Sequence, residues 1–517
     1  MSPEDPRIIE LRQMRALVQQ AGGEKRVAAQ HAKGKLTARE RIDLLLDKAT
    51  FHELEPYSSA RSTGNGSSDD ANFGDGVVTG YGLVDGRMVF VYAQDFTISG
   101  GSLGEVHGRK ICRLMDLAVQ SGAPIVGLID SGGARIQEGV RSLGGYAEVF
   151  QRNARYSGVV PQISVIMGPC AGGAAYSPAV TDLIIMVDKA SYMFLTGPEV
   201  IRSVTGEEID AENLGGAAVH LGVSGLAHLS ASDEKQALQL CRTALSYFPQ
   251  NNVENPPIQV SGADQPLSDA GLNSIVPLDP QTPYSMLEVI QRIVDEGTFL
   301  ELQATFACNA RVGFARMNGA SVGIVAQEPS VMAGVLDIDS SDKIARFVRL
   351  CDCYNIPLIT LVDSPGFLPG VDQEHRGVIR HGAKILFAFS EATVPKISIV
   401  TRKAYGGAYV VMSSKYMGGD INFAWPSAEI AVMGAEGAAN ILYRKQIDTA
   451  EDPKAERDRL TEEYRQKFLN PYAAAQAGYI DEIIEPCETR ERVIAALAAL
   501  RDKHVAVFPR RHGNMPV

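Results

Sequence analysis

The feature that most constrains the fold of this chain is an internal duplication. Residues from about 80 to 136 match residues from about 313 to 369 at a constant shift of 233, and the shift becomes 234 after one inserted residue. The matched pairs include Gly80 with Gly313, Lys110 with Lys343, Pro124 with Pro357, Asp130 with Asp363, and Gly172-Gly173-Ala174 with Gly406-Gly407-Ala408. Ordered self-similarity of this length predicts one folding unit built twice.

Hydrophobic periodicity predicts the same elements in both copies. Apolar residues follow the i, i+3, i+4, i+7 pattern of an amphipathic helix at Ile111, Leu114, Met115 and Ala118, and again at Ile344, Phe347, Val348 and Cys351. Short apolar runs follow each helix, "PIVGLID" and "PQISVIMGP" in the first copy and "PLITLVD" and "PKISIVTRK" in the second. Such runs are typical of buried strands in a largely parallel sheet. We therefore expect two tandem α/β domains, residues 1–260 and 261–517, joined by the Pro- and Asn-rich stretch near residues 250–275.

Three further segments are predicted outside the repeat. "GKLTARERIDLLLD" indicates an N-terminal helix whose "TARE" resembles a capping box. Residues 61–76 are rich in Gly, Ser and Asp and predict a loop. The run "EDPKAERDRLTEEYRQKFLN" predicts a charged, solvated helix with opposite charges three and four residues apart.

Composition and charge exclude several classes of protein. The net charge of −12 and pI of about 5.4 argue against general nucleic-acid binding, although a local cluster of Lys and Arg could still hold a small polyanion. No apolar segment reaches about 18 residues, so we expect no membrane span and a cytoplasmic location. The seven cysteines include no C-x-x-C pair, which indicates neither a zinc ribbon nor a disulfide framework. We expect no metal in this chain.

The two Gly-Gly turns are the candidate site. A strand that ends in Gly-Gly and enters a helix leaves backbone N–H groups unpaired at the helix start, where they can hold a carbonyl oxygen that becomes an oxyanion. The alternative is that these glycines only permit tight packing of strand against helix. The nearby ionisable residues Arg135, Glu138, His381, Arg402 and Lys403 are each as well explained by surface or ion-pair roles.

Established catalytic motifs are missing around these turns. Neither turn carries a G-x-S-x-G elbow, an H-E-x-x-H, a P-loop or a G-x-G-x-x-G after a strand. A reaction with two oxyanion-like species and no protein base would fit this pattern.

Many ordered motifs resemble the carboxyltransferase (β) subunits of biotin-dependent acyl-CoA carboxylases, with the propionyl-CoA carboxylase type as the nearest group. The resemblance covers nearly the whole chain and is carried by "GKLTARERIDLLLD", "GGSLGEVHGRKI", "DSGGARIQEGV", "GPCAGGAAYSPA", "VDSPGFLPG", "TRKAYGGAY", "AWPSAEIAVMGAEGA" and "HGNMPV".

The resemblance implies a fold and a mechanism. It implies two crotonase-like domains, usually in a hexamer, with each active site between the N-terminal domain of one subunit and the C-terminal domain of another. Carboxybiotin on a separate carrier subunit releases CO2, the biotin enolate takes the α-proton of a short-chain acyl-CoA such as propionyl-CoA, and the substrate enolate captures CO2. The cofactor itself is then the base.

The resemblance also assigns residues. The amides of Gly172 and Gly173 would hold the acyl-CoA enolate, and those of Gly407 and Ala408 the biotin enolate. The residues expected to bind the substrates are Ala134, Arg135, Ala171, Tyr176, Gly406, Tyr409 and Val410. The implied partners are coenzyme A as part of the substrate and a biotin carboxylase/biotin carrier (α) subunit.

Two differences from related families bear on the branch of the family and on the preferred substrate. Bacterial acetyl-CoA carboxylase β subunits carry a four-cysteine zinc ribbon that is missing here. Family members acting on propionyl-CoA read "GGAYD", whereas this chain reads "GGAYV", so Val410 is expected to reshape the acyl pocket. The preferred acyl-CoA therefore stays open.

Two alternatives to a carboxylase subunit stay open from the residues. A transcarboxylase core or the carboxyltransferase subunit of methylmalonyl-CoA decarboxylase would share these motifs. A non-catalytic scaffold is disfavoured because both Gly-Gly motifs are intact.

Overall fold

A computed structural model of the chain describes residues 4–60, 73–259, 265–506 and 508–517. The chain divides into two compact units, Met1–Glu254 and Asn255–Val517. The predicted domain boundary between residues 260 and 261 lies outside the described residues, as does the part of the predicted loop from residue 61 to 72.

In the part of the first unit that the structure describes, the strands form one eight-stranded sheet. Its order is β1-β2-β3-β4-β5-β6-β8, and β7 pairs with the end of β5. Strands β1 to β3 are antiparallel, and β3 to β6 and β8 are parallel. The strands are β1 His52–Leu54, β2 Val77–Val84, β3 Arg87–Gln94, β4 Ile125–Ser131, β5 Gln162–Ala171, β6 Leu183–Val187, β7 Tyr192–Phe194 and β8 Leu229–Ala231.

Ten α-helices accompany this sheet in the described part of the unit. They are α1 Pro6–Gln19, α2 Glu24–His31, α3 Ala38–Leu45, α4 Glu105–Ser121, α5 Val140–Tyr156, α6 Tyr176–Ala179, α7 Pro198–Thr205, α8 Ala211–Gly215, α9 Ala217–Gly222 and α10 Glu234–Tyr247. The predicted capping box is confirmed at α3, where Thr37 and Glu40 each bond the other's backbone N–H.

The second unit repeats the architecture. Its sheet runs β16-β14-β13-β12-β11-β10-β9, with β15 paired to the end of β13. The strands are β9 Leu300–Leu302, β10 Ala310–Met317, β11 Ala320–Gln327, β12 Leu358–Ser364, β13 Lys396–Tyr405, β14 Ile421–Ala424, β15 Glu429–Ala431 and β16 Glu482–Ile483. The helices are α11 Met286–Ile293, α12 Ile338–Cys353, α13 Val371–Arg376, α14 Val378–Glu391, α15 Gly406–Val411, α16 Ala435–Leu442, α17 Arg444–Thr449, α18 Pro453–Phe468, α19 Pro471–Gln476 and α20 Thr489–Ala499.

The duplication is confirmed element by element. Strands β2, β3 and β4 fall on β10, β11 and β12 at the predicted shift, and helix α4 falls on α12. All eight apolar positions predicted for these two helices are buried. The structure adds an antiparallel part to each sheet, because β2 and β3, like β10 and β11, are joined as tight hairpins.

A buried lysine occupies the same place in both units. The Nζ of Lys110 donates to the carbonyl oxygens of Gly74 at 3.1 Å and Val77 at 2.7 Å. The Nζ of Lys343 donates to those of Phe306 and Ala310, both at 2.7 Å. Burial lowers the pKa of each amine to about 8. Each lysine therefore ties its helix to the start of a sheet strand by carbonyl contacts.

The predicted charged helix is also present. The charged C-terminal segment forms α18, and Cys351 and Cys353 both lie on α12, the first buried and the second half-buried. Within the ranges that the structure describes, no helix combines the length and the apolar character needed to cross a bilayer.

Candidate active site

Each Gly-Gly turn begins where a long parallel strand ends. In the first unit, β5 ends at Ala171 and Gly172 opens a short 3-10 turn with φ of 62°. In the second, β13 ends at Tyr405 and Gly406 opens α15 with φ of 56°. This left-handed backbone is strained for a residue with a Cβ. The first glycine of each pair is therefore required by the turn itself.

The second glycine of each pair faces an aromatic ring. A Cβ added to Gly173 would lie 3.3 Å from Cδ2 of Tyr146, and one added to Gly407 would lie 3.9 Å from Cε2 of Phe367. The space at Gly407 is thus open enough for a ligand to approach the backbone. Because the first N–H groups of a helix have no acceptor within it, the amides that follow each strand are suited to bind an oxygen.

Phe367 was not anticipated from the sequence. It lies at the position equivalent to Ala134, since both residues form an isolated parallel bridge, Ala134 with Leu103 and Phe367 with Leu336. The constant shift of 233 places Phe367 at the position of Ala134, so the repeat in the sequence could have identified it.

The ionisable side chains near the turns are held by partners. Arg135 is buried, pairs with Asp75 and, at 2.8 Å, with Glu138, and donates to the carbonyl oxygen of Ser102 at 2.8 Å. Arg402 is buried and donates to Asp363 at 3.0 Å. These guanidinium groups stabilise the walls of the site.

His381 and Lys403 each bond a carboxylate. The Nδ1 of His381 lies 2.9 Å from a carboxylate oxygen of Asp342, and the backbone N–H of Lys403 donates to Asp363 at 3.1 Å. Both contacts are structural in character.

The acidic groups behind the turns are poor bases. Burial raises the pKa of Tyr92 to about 12 and raises the pKa values of Cys170 and Tyr146. Burial also raises the pKa of Tyr409 to about 12. These groups are protonated at neutral pH and are therefore not available as bases.

A buried charge network lies at the end of β4, the strand that pairs with β5. Asp130, at the end of β4, is fully buried and lies 2.7 Å from Nζ of Lys35 and 2.9 Å from Nη2 of Arg41. Arg41 also pairs with Glu234 at 2.6 Å. In the second unit the equivalent carboxylate, Asp363, uses Arg402 instead. The repeat in the sequence places the two carboxylates at equivalent positions, but it does not predict that they pair with different cations.

The predicted substrate-binding residues fall beside the turns. Gly133 lies so close to the end of β5 that a Cβ there would be 2.8 Å from the carbonyl oxygen of Ala171. This brings the segment that contains Ala134 and Arg135 to the first turn. Tyr176 and Val410 are exposed, by 52% and 42%, whereas Tyr409 is buried on α15.

A cavity of about 430 Å³ opens on the first unit. Its lining includes Arg26, Lys33, Phe96, Ser99 and Gly100. The carbonyl oxygen of Gly100 accepts the N–H of Gly132 at 3.0 Å. The cavity is thus connected through this loop to the segment beside the first turn.

Comparison with known proteins places this geometry in a family. The Carboxyl transferase domain family matches residues 29–515. The chain is 57% identical over 518 residues to the propionyl-CoA carboxylase, carboxyltransferase subunit of Haloferax mediterranei, covering all of both proteins. It is 52% identical to the methylmalonyl-CoA decarboxylase subunit alpha of Propionigenium modestum, again covering all of both.

A solved structure shows the same architecture. The transcarboxylase 12S structure, described as a hexamer assembly with methylmalonyl-coenzyme A and methylmalonic acid bound, matches with a TM-score of 0.97 and 50% identity, covering 100% of this chain and 99% of that one. This match confirms the predicted pair of tandem crotonase-like domains. The chain belongs to the carboxyl transferase family and is related over its whole length to the carboxyltransferase subunits of acyl-CoA carboxylases.

Proposed function

We propose that this chain moves a carboxyl group from carboxybiotin, carried on a separate protein, to the α-carbon of a short-chain acyl-CoA. Propionyl-CoA or a similar thioester is the proposed acceptor, with methylmalonyl-CoA as the corresponding product. The observation that carries the proposal is the pair of equivalent turns that present backbone donors beside buried, partnered side chains. The full-length similarity to carboxyltransferase subunits supports it.

The first turn is proposed to act on the thioester. When the α-proton leaves, negative charge develops on the thioester oxygen, and the amides of Gly172 and Gly173 hold that oxygen. Removing one such donor from an oxyanion hole costs about 3–4 kcal/mol in other enzymes. Ala134 and Ala171 shape the wall beside this oxygen, and Tyr176 covers it from α6.

The second turn is proposed to hold biotin. When bound, carboxybiotin supplies the carboxyl group and, after its loss, the base, which accounts for the lack of a free side-chain base at either turn. The amides of Gly407 and Ala408 bind the ureido oxygen, and the open space at Gly407 fits close approach of a ring. Gly406 sets the turn, and Tyr409 packs beneath it.

Arg135 and Val410 are proposed to act indirectly. The guanidinium of Arg135 is already held by Asp75 and Glu138, so it contributes by fixing the loop that carries Ala134. The exposed Val410 presents an apolar surface beside the second turn and is proposed to influence which acyl chain is preferred.

The proposed partners follow from the same family. They are a biotin carboxylase/biotin carrier (α) subunit and further copies of this chain, as in the hexameric 12S relative. A cytoplasmic location is also proposed.

A second candidate function uses the same half-reaction in reverse. The 52% identity to a methylmalonyl-CoA decarboxylase subunit and the match to transcarboxylase 12S favour a role in which methylmalonyl-CoA donates the carboxyl group to biotin. The direction depends on the partner subunit, because the turns bind the same two oxygens either way.

The first test is a reconstituted transfer assay. The purified chain, mixed with a biotinylated carrier, a biotin carboxylase, ATP and labelled bicarbonate, is expected to carboxylate acetyl-, propionyl- and butyryl-CoA at different rates. The same chain with methylmalonyl-CoA and free biotin measures the reverse half-reaction without partners. No acyl-CoA-dependent product in either format, beside a working control enzyme, would contradict the proposal.

The second test concerns the cavity on the first unit. We propose that Arg26 and Lys33 bind phosphate groups of coenzyme A, because exposed cations beside an aromatic ring suit a nucleotide. Arg26→Glu and Lys33→Glu are expected to raise KM for methylmalonyl-CoA about tenfold each, equal to about 1.4 kcal/mol. KM for free biotin should not change.

A matched control comes from the helix that carries Arg26. Lys25 is exposed on α2 and does not line the cavity. Lys25→Glu makes the same change of charge, so an equal rise in KM for methylmalonyl-CoA would show a general charge effect and refute the assignment.

A further inference from the structure

The second Gly-Gly turn is held more closely by its neighbouring strand than the first. Strand β15 pairs in parallel with the end of β13, and β7 pairs in the same register with the end of β5. A Cβ on Gly406 would lie 3.0 Å from the carbonyl oxygen of Val432. A Cβ on Gly172 would lie 3.9 Å from the equivalent oxygen, that of Leu195. The two copies therefore contain the same turn, but the carbonyl oxygen of the neighbouring strand segment lies closer to the first glycine in the second copy.

A hydrogen bond distinguishes the two versions. Tyr405, the last residue of β13, donates its hydroxyl hydrogen to the carboxylate of Glu429 on β15. The equivalent positions in the first unit are Ala171 and Tyr192, as the two strand registers show. Alanine has no donor, so this bond cannot form there.

Tyr405 is well placed to act on the turn. It is the residue directly before Gly406 and is only 8% exposed. Burial, followed by the hydrogen bond to Glu429, raises its pKa far above the usual value for tyrosine, so the hydroxyl remains a donor at neutral pH. The bond joins the start of α15 to the neighbouring strand.

We propose that Tyr405 and Glu429 are positioning residues that fix the second turn and thereby the direction of the Gly407 and Ala408 amides. The part of this inference that concerns biotin rests on the function proposed above. Neither side chain is required to touch the reacting atoms. Their hydrogen bond restricts the backbone conformation of the turn before a ligand binds. Donors that are already oriented need no reorganisation during the reaction and therefore stabilise the developing charge more effectively.

The packing of Tyr405 allows the hydroxyl to be tested alone. Its ring belongs to a small cluster with Ala435 and Leu469, against which Tyr464 also packs. Phenylalanine at residue 405 keeps these apolar contacts and loses only the hydroxyl. Tyr464→Phe removes a hydroxyl from the same cluster and is the matched control.

The primary experiment is hydrogen–deuterium exchange on the full chain without ligand. In Tyr405→Phe, the hydrogen-bonded amides of residues 410 and 411, at the end of α15, are expected to exchange about tenfold faster than in the wild type, because a charge-assisted bond that resists local opening is gone. Glu429→Gln keeps an acceptor and should give a smaller increase. Exchange in Tyr405→Phe that is no faster than in Tyr464→Phe would overturn the proposal, whatever reaction the protein catalyses.

The second measurement separates the two substrates. With methylmalonyl-CoA and free biotin, Tyr405→Phe is expected to raise KM for biotin or lower kcat about tenfold, with KM for methylmalonyl-CoA unchanged. An equal change in both KM values would overturn the assignment to the second turn. If the wild type shows no transfer at all, the proposed function fails, and the exchange result still decides whether the pair fixes the turn.

Discussion

Replacing Gly173 or Gly407 with leucine is expected to abolish carboxyl transfer, with a loss of at least about 10²–10³-fold in kcat for each variant. The added side chain would occupy the space where a ligand oxygen must meet the backbone amides. The backbone accepts a Cβ more easily at Gly407, where it has an ordinary 3.9 Å contact with Phe367, than at Gly173, where the Tyr146 ring at 3.3 Å must shift, so the state of assembly is measured for both variants.

The measurement for these variants compares activity with assembly. Transfer from methylmalonyl-CoA to free biotin gives the rate, and analytical ultracentrifugation gives the oligomeric state. Ala455→Leu, which adds a leucine to the exposed face of α18, is the control for an added apolar side chain. Full activity in both glycine variants would refute the assignment of the turns.

Replacing Arg41 with methionine is expected to cause a large loss of stability. Arg41 is fully buried between Asp130 and Glu234, so its removal leaves two buried carboxylates with one remaining cation, Lys35. Breaking a buried ion pair by removing one partner costs about 3–5 kcal/mol. For a domain of this size that corresponds to a fall in Tm of about 6–20 °C.

A half-exposed ion pair in the same unit provides the comparison. Arg152 pairs with Asp116 at 2.7 Å, with side chains 22% and 33% exposed. Arg152→Met should cost at most about 1 kcal/mol, since exposed pairs contribute little. Thermal unfolding followed by circular dichroism checks both variants, and a Tm loss in Arg41→Met no larger than in Arg152→Met would show that the network is not needed.

The sequence predicted the parts of this protein that repeat. A constant shift locates strands β2, β3 and β4 and their counterparts because a duplicated unit keeps its register. The shift of 233 also located both buried carboxylates, and the shift of 234 that follows the inserted residue located both Gly-Gly turns. Family resemblance then supplied the proposed ligand of each turn, because backbone donors alone do not distinguish a thioester oxygen from a biotin oxygen.

The parts that sequence reasoning missed depend on distant partners or very short elements. Strands β7 and β15 have three residues each, too few for a periodic pattern, yet they set the clearance of both turns. Arg41 meets Asp130 only through the folded helix α3. Phe367 lies beside Gly407, but its equivalent in the first copy is an alanine, so comparing residue types between the copies did not single it out.

The self-contained sheet of the first unit has a consequence for synthesis on the ribosome. All eight of its strands lie between residues 52 and 231, so every hydrogen-bonding partner in the sheet has been translated before the second unit begins at Asn255. At about 5–20 residues per second, the remaining 263 residues take roughly 13–50 s to appear. The first sheet can therefore form while the second unit is still being made. Strands of the two similar copies could otherwise pair with each other, and this order of synthesis separates them in time.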